Sequence, residues 1–186
     1  MDAKRKILLL IIFIITILIG ARLLGVHDYL SVANVKTLFE KELSLSIFLF
    51  VVFFSIANLL YIPGWVFLFS AILVLGKIGG GSLTFLAALI SCFFSYFVVG
   101  LIGHNTLREI DSKIFNKVFS KLDQRPILSI AVLRILFQTN PALNYTLSMS
   151  GTGFKNYALG TLIGLPLPVF LYCVFFDFLI QSVKNF

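Results

Sequence analysis

The chain has 186 residues, 59% of them hydrophobic and only 12% charged, with a net charge of +7 and a mean hydropathy of +1.03. A soluble domain carries about 25% charged residues, so this composition excludes a soluble globular protein and specifies an integral membrane one. Its length allows one compact membrane domain and no sizeable soluble one, and its basic residues sit in short flanks and loops that suit anionic headgroups rather than nucleic acid.

Ile7 to Leu24 is the first apolar stretch, after Lys4-Arg5-Lys6. A cleaved signal peptide has a similar pattern, but no A-x-A-like site follows. The stretch reads as a signal-anchor helix within residues 1–25, with Arg22 snorkelling to the far face. Residues 26–42 are mixed, with Leu30, Val35, Leu38 and Phe39 near helical spacing, and read as a short interfacial helix.

An uncharged run of 34 residues follows, Leu43 to Gly76, interrupted by Pro63-Gly64. One crossing needs about 20 apolar residues. The run is long for one crossing and short for two, so it is expected to be a broken hairpin that enters and leaves by one face. Irregular backbone at membrane depth must be buried in protein or line a wet cavity. Lys77 to Gly81 is expected to be a turn, and Ser82 to Gly103 a full span. The Lys-Ser/Thr ending of a phosphate loop is missing from that glycine-rich turn.

In residues 104–125, Leu107, Ile110, Ile114, Val118 and Leu122 recur every three or four positions, and charged residues occupy the other faces. This predicts an amphipathic interfacial helix. Pro126 to Gly151 is a second apolar run, broken at Asn140-Pro141. Phe154 to Leu179 is the last span, with kink sites at Pro166 and Pro168.

The order is interfacial helix, broken hairpin and full span, twice over. Residues 26–186 therefore read as one membrane domain of two repeats, about 26–103 and 104–181. The 104–125 segment has five basic and three acidic residues, whereas 26–42 has two basic and three acidic. The 104–125 segment and the N-terminus are placed in the cytoplasm and the 26–42 segment on the outer face. One crossing separates the outer segment from the inner one, so the two repeats are inverted. The expected fold is thus all-α, with two inverted repeats and re-entrant hairpins behind an N-terminal transmembrane helix. Such repeats mark transporters.

Arg134 lies eight residues into an apolar hairpin with no acid near it in sequence. An intramembrane Arg marks a functional site by default, and guanidinium binds phosphate or carboxylate bidentately; the alternative is an Arg that snorkels or pairs structurally. Asn140 is a good N-cap and Pro141 a good first helical residue. Together they would open a half-helix whose N-terminus favours an anion. Pro63 and Gly64 could do the same from the opposite face. Asn144 and Tyr145 could bond a headgroup or tie helices together.

Asp177, Glu40 and Glu42 are candidates for proton coupling, though such acids are more often solvated at the interface. Gly76-x3-Gly80 and Gly160-x3-Gly164 are small-residue packing faces and leave a homodimer open. Cys92 and Cys173 lie in apolar stretches and read as buried free thiols. No cofactor is implied, and the spacing of Cys and His suits no metal site. No hydrolase or kinase constellation is present, so an enzyme is not expected.

Three segments together resemble the DedA/VTT-domain superfamily, also called the SNARE-associated Golgi protein family. They are Arg134-Ile135-Leu136, Asn140-Pro141-Ala142-Leu143-Asn144-Tyr145, and Gly160 to Pro168. Ile62-Pro63-Gly64 resembles the first half of that domain, and the likeness covers roughly residues 45–180. Trp65 stands where many bacterial members carry an acid, which draws the chain towards the VTT branch. The resemblance implies two opposed re-entrant hairpins and movement of phospholipid or polyprenyl phosphate between leaflets.

The expected function is a lipid flippase or scramblase acting on anionic headgroups, in the inner (plasma) membrane of a bacterium. The alternatives are a proton-coupled small-solute transporter and a non-transporting membrane scaffold.

Overall fold

A computed structural model describes residues 41–59, 62–103 and 113–184. The chain divides into compact units at 1–46 and 47–186, and all but the first few described residues belong to the second. The expected N-terminal helix and the 26–40 segment lie outside the described residues.

Every regular element among the described residues is an α-helix: α1 (Leu43–Leu59), α2 (Gly64–Gly103), α3 (Lys113–Gln124), α4 (Pro126–Phe137), α5 (Pro141–Ser148), α6 (Phe154–Gly164) and α7 (Pro166–Lys184). Proline opens α4, α5 and α7, where its missing N–H costs nothing and its fixed φ suits the first turn. Two stretches, 64–101 and 154–180, are long and apolar enough to cross a membrane. This is an all-α membrane protein.

The first of those stretches is not one straight rod. Gly76 has φ 74° and ψ 174°, which glycine alone adopts freely. A Cβ on Gly80 would lie 2.5–2.6 Å from the backbone of Ala71. Nine residues of straight helix would separate those positions by about 13 Å, so the chain folds back on itself at Gly76. The expected turn over Lys77 to Gly81 is corrected: these residues are helical, and one glycine makes the reversal. Gly76 is also not half of a packing face, for nothing lies within 4 Å of its Cβ position.

The legs differ in reach. Residues 77–103 form about 40 Å of helix, enough for a 30 Å hydrocarbon core. Residues 64–75 and α4 reach only about 18 Å each, and α5 about 12 Å. None of these three can cross alone.

Two helical hairpins result. In the first, α1 turns into residues 64–75. Phe54 lies beneath Gly64, and its ring meets Phe67 at 5.2 Å. In the second, α4 turns into α5 through 138–140. A long helix returns beside each hairpin. Gly81 meets the Cys173 sulfur, and a Cβ there would lie 2.6 Å from it, whereas Tyr96 meets Phe154 with ring centroids 5.4 Å apart. Residues 77–103 therefore run antiparallel to α6 and α7.

Gly160 and Gly164 let α6 approach α4 at backbone distance, as their spacing predicts. A Cβ on Gly160 would lie 2.8 Å from the Ile127 carbonyl, and one on Gly164 2.5 Å from the Ala131 carbonyl. Both contacts advance in the same direction, so α4 and α6 are parallel. The amphipathic reading of α3 holds where its side chains are described: Phe119 and Leu122 are buried, while Lys121, Asp123 and Gln124 are exposed. Its end is tied to α4 by Ser129 Oγ, which donates to the Lys121 carbonyl (3.1 Å).

Candidate functional site

The turns of the two hairpins meet. Asn58, near the end of α1, donates through Nδ2 to the Thr139 carbonyl (2.8 Å). Its Oδ1 accepts from Asn144 Nδ2 of α5 (2.8 Å). Tyr145 OH donates to the Leu59 carbonyl (2.5 Å). Gly64 faces Thr139 so closely that a Cβ would lie 2.8 Å from the Thr139 hydroxyl oxygen. Asn58, Thr139 and Asn144 are all buried, so these bonds work in a low dielectric, where leaving either partner unmade costs about 1–3 kcal/mol.

Arg134 lies directly behind this junction and is 0% exposed. Its guanidinium is held by four acceptors from two helices besides its own and from a turn. Nη1 donates to Asn144 Oδ1 and to the Gln138 carbonyl (3.0 Å). Nη2 donates to Tyr157 OH (2.7 Å), and Nε to Thr161 Oγ1 (3.3 Å). Tyr157 OH in turn donates to the Cys92 carbonyl (2.9 Å). All four acceptors are neutral. These contacts satisfy the hydrogen bonds of the guanidinium without cancelling its charge.

The backbone is bent to make this arrangement. Gln138 ends α4 with φ 53° and ψ −127°, a region that a residue with a Cβ rarely adopts. Its N–H bonds to the Arg134 carbonyl (2.7 Å), and its own carbonyl turns towards Nη1. Gln138→Gly removes that strain and keeps both backbone bonds. It is expected to raise unfolding stability by about 1 kcal/mol. Thermal unfolding in detergent would check this; an unchanged or lower midpoint would mean that the turn is not strained.

A cavity of about 360 Å³ opens between the tips, lined by residues 63–65, 136–141 and Tyr172. None of these side chains is charged. Two helix N-termini border it, at Gly64 and at Pro141, each with partial positive charge. Asn140 caps the second as the sequence predicts, its Oδ1 accepting from the Ala142 N–H (2.9 Å).

Of the candidates named from sequence, Pro63, Gly64, Asn140 and Pro141 line the cavity. Arg134 and Asn144 sit one layer deeper, and Tyr145 is spent on the first hairpin. Glu42 is exposed just ahead of α1. Glu40 and the side chain of Asp177 lie outside the described residues. Cys92 and Cys173 are buried free thiols, and no group of potential metal ligands occurs among the described residues.

Asn58, Gln138, Thr139, Tyr157, Thr161 and Tyr172 escaped sequence reading. Asn58 carried a usable signal, being a lone amide within an uncharged run. Tyr157 and Thr161 carried none.

The family model described as the VTT domain matches residues 62–178. No curated protein and no solved structure matches the chain.

Proposed function

The chain belongs to the VTT-domain family, and from that premise we propose that it moves lipids with anionic headgroups, phospholipid or polyprenyl phosphate, between bilayer leaflets. One observation carries this reading: the two hairpin tips border an open, uncharged cavity in front of a fully buried Arg134. The volume, about 360 Å³, is at the small end for ligand sites. It suits a headgroup rather than a whole lipid, whose acyl chains would stay in the bilayer. The two helix N-termini and Arg134 give the space a positive potential, which favours phosphate.

In this reading the short legs form two re-entrant hairpins belonging to inverted repeats. Their irregular turns are tolerated at membrane depth because each is buried against the other or lines the cavity. The N-terminus and α3 face the cytoplasm, with the basic flanks on that side. The proposed step moves the lipid without breaking any of its bonds, which makes the protein a flippase or scramblase rather than an enzyme in this reading.

The test is reconstitution into liposomes carrying fluorescent phospholipid or fluorescent polyprenyl phosphate, followed by a membrane-impermeant quencher. Quenching beyond the outer-leaflet share is the expected result. Quenching that stops at that share for every lipid would overturn the reading.

A further inference from the structure

The cavity and Arg134 do not communicate. Between them lie Gln138, which lines the cavity and whose carbonyl accepts from Arg134, and the layer formed by Asn58, Thr139 and Asn144. Asn144 faces both ways, its Nδ2 donating to Asn58 across the hairpin junction and its Oδ1 accepting from Arg134. The opposite side is closed as well. Tyr157 packs at a tilt against Tyr96, with centroids 4.7 Å apart, and Tyr96 borders a second, shallower hollow of about 270 Å³ with Phe97, Gly100 and Leu101. Arg134 is thus sealed from open space on both sides, by the hairpin junction on one and by Tyr157 and Tyr96 in succession on the other.

The geometry points to Asn58 as the latch of a gate: its side chain holds the two hairpin tips together and keeps a headgroup in the cavity from reaching Arg134. The inference rests on the lipid-transport reading and adds a closed state to it. Both Asn58 bonds cross between hairpins, so parting the tips breaks both. Parting the tips also pulls on Asn144, whose Oδ1 is one of the four acceptors on the guanidinium. An incoming phosphate oxygen offers a stronger, charged acceptor for the N–H so released. Opening and ligand capture are therefore linked through one amide. Asn58 touches neither Arg134 nor, in the closed state, the cavity, and it acts as a positioning residue.

The chain carries its own reporter. Cys92 is 0% exposed, with Sγ 3.5 Å from Asn144 Oδ1, so a small thiol reagent reaches it only when this layer opens. Cys173 is buried elsewhere, against Gly81, and serves as the internal reference. Labelling of the full chain in vesicles, read per cysteine by peptide mass, is expected to be about tenfold or more faster at Cys92 in Asn58→Ala, from the loss of two buried hydrogen bonds. Cys173 should keep its rate. An unchanged Cys92 rate, or a rise shared equally by Cys173, would overturn the latch.

The converse variant locks the gate. The Gly64 Cβ position lies 2.8 Å from the Thr139 hydroxyl oxygen, close to where a partner sulfur stands in a disulfide, whose Cβ atoms are about 3.8 Å apart. Oxidised Gly64→Cys/Thr139→Cys should protect Cys92 and stop lipid movement, and a reductant should restore both. An oxidised pair that labels and transports like the reduced one would refute the gate. Labelling reads the gate even if the wild type moves no lipid, so failure of the gate is separate from failure of the transport reading.

Discussion

Arg134→Met is expected to fold and insert with near-native stability and to move no lipid, whereas Arg134→Ala is expected to lose both. The side chain is fully buried among neutral acceptors. Truncation to Ala leaves a large void and strands polar atoms that had been paired to a charged donor. Void and stranded groups together cost about 3 kcal/mol or more.

Part of the polar loss is recoverable. Tyr157 OH still donates to the Cys92 carbonyl, and Asn144 Oδ1 still has the Cys92 thiol. Removal of a buried charge that its hydrogen-bond partners do not balance also returns its desolvation penalty, which is why apolar residues of matching volume often replace buried ions with little loss. Met fills the space, and its stability should fall within about 1 kcal/mol of wild type. Thermal unfolding in detergent and the quencher assay, run side by side, separate the two roles. Wild-type lipid movement by Arg134→Met would remove Arg134 from the transport path and leave it a purely structural residue.

The second large effect belongs to Gly164. Gly164→Leu is expected to destabilise by several kcal/mol and to disturb the Arg134 site from a distance. Even a Cβ would stand 2.5 Å from the Ala131 carbonyl and 2.6 Å from the Arg134 Cβ. Neither neighbour is a flexible side-chain end, so α4 and α6 must separate. Within a membrane, close backbone approach is a main source of helix association, and overpacking a tight contact costs about 1–3 kcal/mol before the larger side chain is counted.

Gly100→Ala is the control. Nothing lies within 4 Å of that Cβ position, and Ala is the better helix former by about 1 kcal/mol. Its midpoint should rise slightly. A Gly164→Leu midpoint equal to wild type would mean that α4 and α6 do not pack as described.

Much of the secondary structure was legible because its signals are local. Asn140-Pro141 announces a helix start by its own backbone chemistry, and α5 begins there. Pro126 opens the second apolar run and α4, and Pro166, expected as a kink within one span, is where α6 gives way to α7. Small residues one turn apart announced the close approach at Gly160 and Gly164. The reversal after the first hairpin was mislocated, for Gly76, Gly79, Gly80 and Gly81 all permit a turn and their sequence does not say which one takes the positive φ. Only the fold gives Gly76 and Gly80 distinct duties, reversal at one and backbone contact with Ala71 at the other.

Sequence by itself determined that this is a helical membrane protein of the VTT-domain family, that its apolar runs are broken at specific prolines and glycines, and that Arg134 is an anomaly requiring explanation. Those conclusions follow from composition, periodicity and local backbone constraint. Tertiary structure alone decided that Asn58 meets Asn144 across 86 residues, that Tyr157 and Thr161 join Arg134 from another helix, and that Arg134 is sealed behind the cavity instead of lining it. Hydrogen bonds between distant segments depend on which faces meet when helices pack, and an isolated Asn, Tyr or Thr in an apolar stretch has no neighbour in sequence to reveal its partner.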